Sequence, residues 1–204
     1  MSNKGHWEKI YSTKEIDEVS WYQDTPNTSL NIFSSLKLNL NSSIIDIGAG
    51  KSFLADNLLN LGYNDITILD ISHNALNEVK ERVKEKNHTI KCIESNITDL
   101  SSDKKYDVWH DRAVFHFITN NTEREKYLTL LNKCINKDGY LIIGTFSEDG
   151  PLKCSGLEVR RYSVDELREL LKDTFQLING FKEIHDTPFN TTQSFTFCLF
   201  KKIT

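Results

Sequence analysis

At 204 residues, 38% hydrophobic and 26% charged, the chain carries enough apolar side chain for one α/β domain with a sizeable core, and its composition excludes a disordered polymer. A net charge of -4 argues against a surface built to neutralise many phosphates, so nucleic acid is not an expected partner. There is no apolar run of about 18 residues, no signal-like apolar core at the start and no C-x-x-C among Cys92, Cys134, Cys154 and Cys198, so the expectation is a soluble cytoplasmic protein without membrane span, disulfides or metal.

Taken in chain order, Leu30, Ile32, Phe33 and Leu36 lie near helical spacing after Pro26, which predicts a helix over about 28–37 capped by Thr28 or Ser29. A strand at 44–47, a helix over about 52–61 ended by Gly62, a strand at 66–70, a helix over about 73–86 and a strand at 89–94 follow. The alternation continues with a short strand at 106–111. Thr122 with Glu125 forms the pattern of a capping box for a helix to about 135, and "KDGYLIIGTF" reads as a turn entering a buried strand. Ser163-Val-Asp-Glu opens a capped helix to about 172, and two strand-like runs with no helix between them finish the chain, so they pair antiparallel. The expected fold is α/β: a Rossmann-like, doubly wound, mostly parallel seven-stranded sheet with a C-terminal antiparallel hairpin, a single domain over 1–204 with 1–40 as a lid and helical segment. Ligands of such sheets sit at the carboxyl ends of the strands.

The stretch "SSIIDIGAGKSFLADNLLNLGYNDITILDIS", Ser42 to Ser72, carries the most specific signal. Its GAGKS letters imitate the end of a phosphate-binding loop, but G-x-x-x-x-G-K-[ST] requires glycine at 45, where Ile45 stands. A strand that feeds a glycine turn, with an acid about 20 residues on at Asp70, suits a nucleoside cofactor whose ribose hydroxyls the acid accepts. Such glycines also serve close helix–strand packing. Phe53 occupies the third glycine of a dinucleotide fingerprint, and Asp46 would repel a diphosphate while suiting a cationic ammonium. Both details favour S-adenosylmethionine over NAD.

On these residues the chain resembles class I S-adenosylmethionine-dependent methyltransferases over nearly its full length. The D-I-G-A-G turn and "GYNDITILDIS" are similar to the branch that methylates lysines of citrate synthase and elongation factor 1A, and "HWEKIYSTKEIDEVSWYQ" resembles the segment that folds over the cofactor there. The resemblance implies that Asp46, Gly48, Ala49 and Gly50 cradle the methionine part, Asp70 and Ile71 the ribose and adenine, and Asn96 and Ile97 the adenine edge and face, with Tyr11 and Trp21 in a lid. His110 and Asp111 would stand beside the methyl group. Many members have an acid where Asn96 stands, so an amide oxygen must serve there. "HDRAVFHF" and "EDGPLKCSGLEVRRYS" depart from the lysine branch and resemble a bacterial methyltransferase group of unassigned acceptor.

Methyl transfer from a sulfonium is an in-line displacement that asks the protein for alignment and, with some acceptors, proton removal. His110, Asp111, Arg112 and His116 cluster after a strand end; His116 is either a base or a core histidine, and Asp111 with Arg112 either works on the acceptor or is a structural ion pair. Arg160 and Arg161 can clamp an acidic acceptor or simply pair with Glu158 and Asp165. Cys154 is either a pocket thiol or a packed one, and His185 and Gln193 flank the last loop within reach of the same mouth. The expected activity is methyl transfer to an unassigned acceptor, leaning to a small molecule. The alternatives are a protein-lysine methyltransferase and a non-catalytic binding module.

Overall fold

The computed structural model describes residues 3–86 and 88–204; Met1 and Ser2, which belong to the expected lid, and Asn87 lie outside the described residues. The chain forms two compact units, residues 1–100 and 101–204.

The first unit opens with α1 (Lys4–Thr13), followed by α2 (Asn27–Ser35), β1 (Ser43–Ile47), α3 (Leu54–Asn60), β2 (Asp65–Asp70), α4 (His73–Glu85) and β3 (Lys91–Glu94). β1 pairs in parallel with β2, and β2 with β3, as βαβ connections require. Ile44, Ile45, Ile47, Ile66 and Ile68 are buried along consecutive strand positions because helices cover both faces of such strands. α4 shows why its sequence is helical: Ala75, Leu76, Val79 and Val83 fall on one buried face, and the Ser72 hydroxyl accepts the Ala75 N–H at 3.2 Å as its cap. α2 departs from expectation. Its cap position is Pro26, Thr28 and Ser29 lie inside the helix, and the helix stops at Ser35.

The second unit holds β4 (Tyr106–Arg112), a 3-10 turn at Phe115–Phe117, α5 (Asn121–Cys134), β5 (Ile135–Phe146), β6 (Lys153–Cys154), β7 (Leu157–Glu158), α6 (Val164–Leu171), β8 (Phe175–Asp186) and β9 (Thr192–Lys202). β4 and β5 are parallel, whereas β5–β9 and β8–β9 are antiparallel, so the terminal hairpin forms as the missing helix implied. The Ser163–Glu166 capping box is present in both directions. The box expected at Thr122 and Glu125 is not: Asn120 caps α5 by accepting the Glu123 N–H at 3.1 Å, two residues earlier, because a strong cap residue already stands there. Strand β5 also begins sooner than its sequence suggests, at Ile135, with a shift in register between Tyr106 and Val108. The seven long strands order as β3-β2-β1-β4-β5-β9-β8, the Rossmann-like, mostly parallel sheet with a C-terminal antiparallel hairpin.

Within "EDGPLKCSGLEVRRYS", the loop of 147–163 between β5 and α6, β6 and β7 make a tight hairpin. Ser155 and Gly156 both have positive φ, 50° and 78°, which is the backbone of a two-residue turn that matches strand twist. Cys92 is exposed on the short strand β3, while Cys134, Cys154 and Cys198 are buried, so Cys154 is the packed thiol of its two readings. Among the described residues, no helix is long and apolar enough to cross a membrane.

Candidate functional site

In the first unit the chain leaves β1 at Ile47 and turns through Gly48 and Gly50, whose φ values of 60° and 53° lie in the left-handed region open to glycine. A second constraint acts at Gly50: a Cβ there would stand 2.5 Å from the Tyr11 hydroxyl, so the ring of α1 rests against bare backbone. Asp70 ends β2 with both carboxylate oxygens in use. Oδ2 accepts the Gly50 N–H and Oδ1 the Ser72 N–H, each at 2.8 Å. Burial pushes its pKa up to about 6, with the neighbouring Asp46 adding to the rise and the backbone N–H groups opposing it. A carboxylate offers about four acceptor sites, so beside the Gly50, Ser72 and Ile71 N–H groups Asp70 keeps capacity for a ligand hydroxyl. Asp46 and Ala49 are buried, Gly48 and Ile71 half-buried.

Asn96 and Ile97 sit at the 3-10 turn Ile97–Asp99, after β3. Asn96 Oδ1 accepts the Thr98 N–H at 3.3 Å and Ile97 is buried. That bond orients the Asn96 amide and leaves its NH2 side uncommitted by it.

The lysine that imitated a phosphate-binding loop has a structural use. Lys51 Nζ lies 2.6 Å from Glu78 on α4, and Arg82 donates to the carbonyls of Lys51 and Ser52 while forking onto buried Asp56. The spacing of Asp56 and Arg82 held no local signal; only packing of α4 against the turn brings them together.

α1 is fastened to this unit by charge and by rings. Glu8 accepts from the His73 N–H at 2.7 Å, the Ser72 hydroxyl at 2.9 Å and the Asn74 N–H at 3.4 Å, adding a carboxylate to the exposed donors at the start of α4. Burial draws the Glu8 carboxyl up, but these hydrogen bonds and Lys4 bring it net below its usual range. Lys4 pairs with Glu94, which also holds His73 Nδ1 at 3.0 Å. Trp7, Tyr11 and Trp21 form a ring cluster with centroids 5.8 to 6.5 Å apart. Sequence reading named the aromatic residues and missed Glu8, whose partners lie more than 60 positions away.

In the second unit Asp111 is enclosed and satisfied. Its Oδ1 accepts the Val114 and Phe115 N–H groups at 3.0 and 3.1 Å, and its Oδ2 accepts the Tyr127 hydroxyl at 2.6 Å. Burial raises its pKa to about 6 against the pull of these bonds. The turn it holds includes Ala113 at φ 69°, an unfavourable backbone for an alanine. Its neighbour Arg112 stacks on the Phe195 ring at 5.1 Å, and buried His110 shares Arg112's side of β4 by strand alternation.

His116 is fully buried at the 3-10 turn after β4. Its Nδ1 accepts the Phe146 N–H at 3.2 Å, so the neutral ring carries its proton on Nε2, and that buried Nε2 has no partner. Burial first, then Arg112, pushes its pKa down to about 3. The ring lies 4.6 Å from that of Phe146, which contacts Phe195 at 4.9 Å, and His185 meets Phe195 edge-on at 6.0 Å.

The arginines of the 147–163 loop are placed differently. Arg160 is exposed, with its guanidinium over Tyr162, and its N–H donates to the His116 carbonyl at 2.8 Å; Arg161 donates to the Gly150 carbonyl at 3.2 Å. Glu158 pairs with Lys153 and Asp165 with Arg168. Buried Cys154 has its pKa pushed up to about 12 by burial.

The strand order and the glycine turn have counterparts among known proteins. Malonyl-[acyl-carrier protein] O-methyltransferase 2 of Ilyobacter polytropus is 25% identical over 181 residues, 83% of this chain and 68% of that protein. EEF1A lysine methyltransferase 2 of Danio rerio is 24% identical over 196 residues, 87% of this chain and 77% of that one, and belongs to the branch that the N-terminal half resembles. The solved structure of 1,6-didemethyltoxoflavin-N1-methyltransferase from Burkholderia thailandensis, with bound 1,6-didemethyltoxoflavin and S-adenosylhomocysteine, shares the fold at a TM-score of 0.73 and 15% identity, over 99% of this chain and 84% of that one. The family described as "Methyltransferase domain" matches residues 38–197, so the chain belongs to the methyltransferase domain family.

Proposed function

We propose that this methyltransferase moves a methyl group from S-adenosylmethionine to a small molecule bearing an acidic group. The observation that carries the cofactor reading is Asp70: a buried carboxylate at the end of β2, steadied by the Gly50, Ser72 and Ile71 N–H groups and still able to accept from a ligand hydroxyl. Bound S-adenosylmethionine would supply a methyl group on a cationic sulfonium. Asp70 and Ile71 receive its ribose and adenine, Asp46 with Gly48, Ala49 and Gly50 its methionine part, and Asn96 and Ile97 its base. Residues 1–40 act as the lid, with Tyr11 and Trp21 as its aromatic face. A rival dinucleotide would meet the Asp46 carboxylate and Phe53 where it needs neutrality and glycine.

On the acceptor side His110 flanks the transferred methyl. Asp111 is a positioning residue, since three donors already hold its oxygens. His116 donates from Nε2 and does not act as a base, since Nδ1 is occupied. Arg160, Arg161 and His185 border the acceptor, and Cys154 packs behind it. Four free thiols support a cytoplasmic location. The Danio rerio relative keeps a lysine acceptor as the second reading.

Calorimetry with S-adenosylmethionine, S-adenosylhomocysteine, NAD and ATP tests the donor: binding of both sulfur compounds alone is expected, and binding of NAD or ATP in their place overturns it. Tritiated-methyl transfer into host lysate, split into protein and small-molecule fractions, tests the acceptor. Label confined to one protein band would favour the lysine reading; label in the small-molecule fraction is expected.

A further inference from the structure

Three fully buried side chains of the second unit form one directional hydrogen-bond chain. Trp109 Nε1–H, which can only donate, meets the Tyr127 oxygen at 3.2 Å, and the Tyr127 hydroxyl spends its single proton on Asp111 Oδ2 at 2.6 Å. Asp111 Oδ1 receives the Val114 and Phe115 N–H groups. Each of these partners of the carboxylate is a donor, so the chain fits the ionised acid: a proton on Oδ2 would point at the Tyr127 oxygen and leave the Tyr127 proton without its acceptor. Burial works against the charge and raises the Asp111 pKa to about 6, while burial also holds the Tyr127 hydroxyl well above its usual range and keeps it a donor. The titratable groups that face Asp111 are Tyr127 from α5 and His110 from β4, with Tyr162 beyond the Phe115 ring; β5 presents Ile143 alongside.

We propose that Tyr127 is a positioning residue of methyl transfer: through the ionised Asp111 carboxylate it holds the turn at the end of β4 in its working shape, and proton uptake by Asp111 releases that turn and slows transfer. This rests on the methyltransferase reading and adds a residue and a pH control to its acceptor side. The turn depends on outside support, because Ala113 stands at φ 69° and only one short 3-10 turn, Phe115–Phe117, follows it. Strand ends are where such sheets meet their ligands, so the shape of this turn bears on the reaction. Its displacement would also travel. The His116 carbonyl accepts the Arg160 N–H at 2.8 Å, the Ala113 N–H donates to the Gly144 carbonyl at 2.8 Å, and Phe115 stacks on Tyr162 at 5.2 Å, so the turn is tied to β5 and to the 147–163 segment. Tyr127 reaches it from α5, 16 positions beyond Asp111 in sequence, and fixes by one bond what three stretches of chain share.

Two measurements on the full-length protein test this, each between pH 5 and 8. The first follows the nitrogen-15 amide resonances of Val114 and Phe115, which should move together in one step as the pH falls through about 6. Tyr127→Phe keeps the ring contacts and removes a bond to the charged form, so the step should sit at higher pH in that variant. The second is tritiated-methyl transfer from saturating S-adenosylmethionine into a dilution series of whichever lysate fraction takes the label. The maximal rate should fall on the acid side of the same step. Tyr127→Phe should lower it about tenfold at pH 7 with the half-saturating amount of fraction little changed, and should carry the acid limb upward with the amide step. S-adenosylhomocysteine affinity, measured alongside by calorimetry, reports Asp70 and should be the same in Tyr127→Phe. Amides that do not titrate in this window, a maximal rate in Tyr127→Phe equal to that of the unaltered protein, or a rate lowered equally at every pH with its limb in place would each overturn the proposal. In all three cases label that still enters a fraction leaves the methyltransferase reading standing; no label from the unaltered protein in either fraction would remove the reading and the proposal together.

Discussion

The two units treat their buried polar groups differently. In residues 1–100 Asp70 receives the Gly50 and Ser72 N–H groups, Glu8 covers the start of α4, and Asp56 meets Arg82 and Lys86. In residues 101–204 the His116 Nε2 and the Thr145 and Thr196 hydroxyls are buried without partners among the described residues, where the first unit has only the His6 Nε2 in that state. A cofactor turn must be rigid before its ligand arrives, so the first unit fixes it with internal bonds. In the second unit those buried groups are not fixed by internal bonds in the same way.

The largest expected effect tests whether satisfaction in the second unit is confined to Asp111. Asp111→Ala strips the acceptor from three buried donors and releases the turn at Ala113, and should cost about 3 kcal/mol or more in urea unfolding. Tyr127→Phe, which removes one of the three, should cost far less. Equal costs would mean that the Tyr127 bond alone carries the turn.

The next effect falls on the first unit. Asp70→Ala should weaken S-adenosylhomocysteine binding by about tenfold or more, through lost ribose bonds and a loosened Gly50. Because the folded pKa of Asp70 is about 6, binding by the unaltered protein should also weaken as the pH falls through 6, when the carboxylate takes up a proton. Affinity flat between pH 7.5 and 5 would remove Asp70 from the ribose contact.

Acid should act oppositely on the two buried carboxylates and on the buried histidine. Asp70 and Asp111 have raised folded pKa values, about 6 against an ordinary 3.8, so they bind protons more readily folded than unfolded and oppose stability above pH 6; that cost fades as the pH falls toward 4. His116 has a lowered one, about 3 against 6.5, so its neutral form stabilises the fold above pH 6.5 and the advantage drains away by roughly 1 kcal/mol per pH unit below that. His116→Phe should therefore lose less stability than the unaltered protein between pH 6.5 and 4.5, measured as the change in urea midpoint. Parallel midpoints across that window would contradict the buried neutral imidazole.

The smallest effect concerns the lid. Glu8→Gln keeps the length of the side chain but discards the charge over the start of α4, and should cost about 0.5–1 kcal/mol and speed release of S-adenosylhomocysteine a few-fold. Release unchanged in a variant that also lacks Tyr11's hydroxyl would make α1 packing alone.

Sequence by itself determined what local chemistry dictates. The D-I-G-A-G turn, the acid 20 positions on, the Ser163 cap and the absence of a helix before β9 each act within a short stretch or through strand alternation, and they led to the fold and to Asp70. It misjudged the cap of α5, because Asn120 and the Thr122–Glu125 pair are both legitimate caps and only the docked helix selects one. It rejected the phosphate motif around Lys51 without finding that lysine another use, and it could not choose between Arg160 and Arg161 for the clamp or between a clamp and pairing with Glu158 and Asp165. The tertiary structure decided those matters. Glu78 and Arg82 reach Lys51, Ser52 and Asp56 from a helix some 26 to 31 residues away, and the tautomer of His116 is set by an amide 30 positions on in β5. Such pairings depend on which elements pack side by side, and hydrogen-bond direction at a ring nitrogen has no trace in residue order, so a histidine's standing as donor or base is a property of the folded neighbourhood.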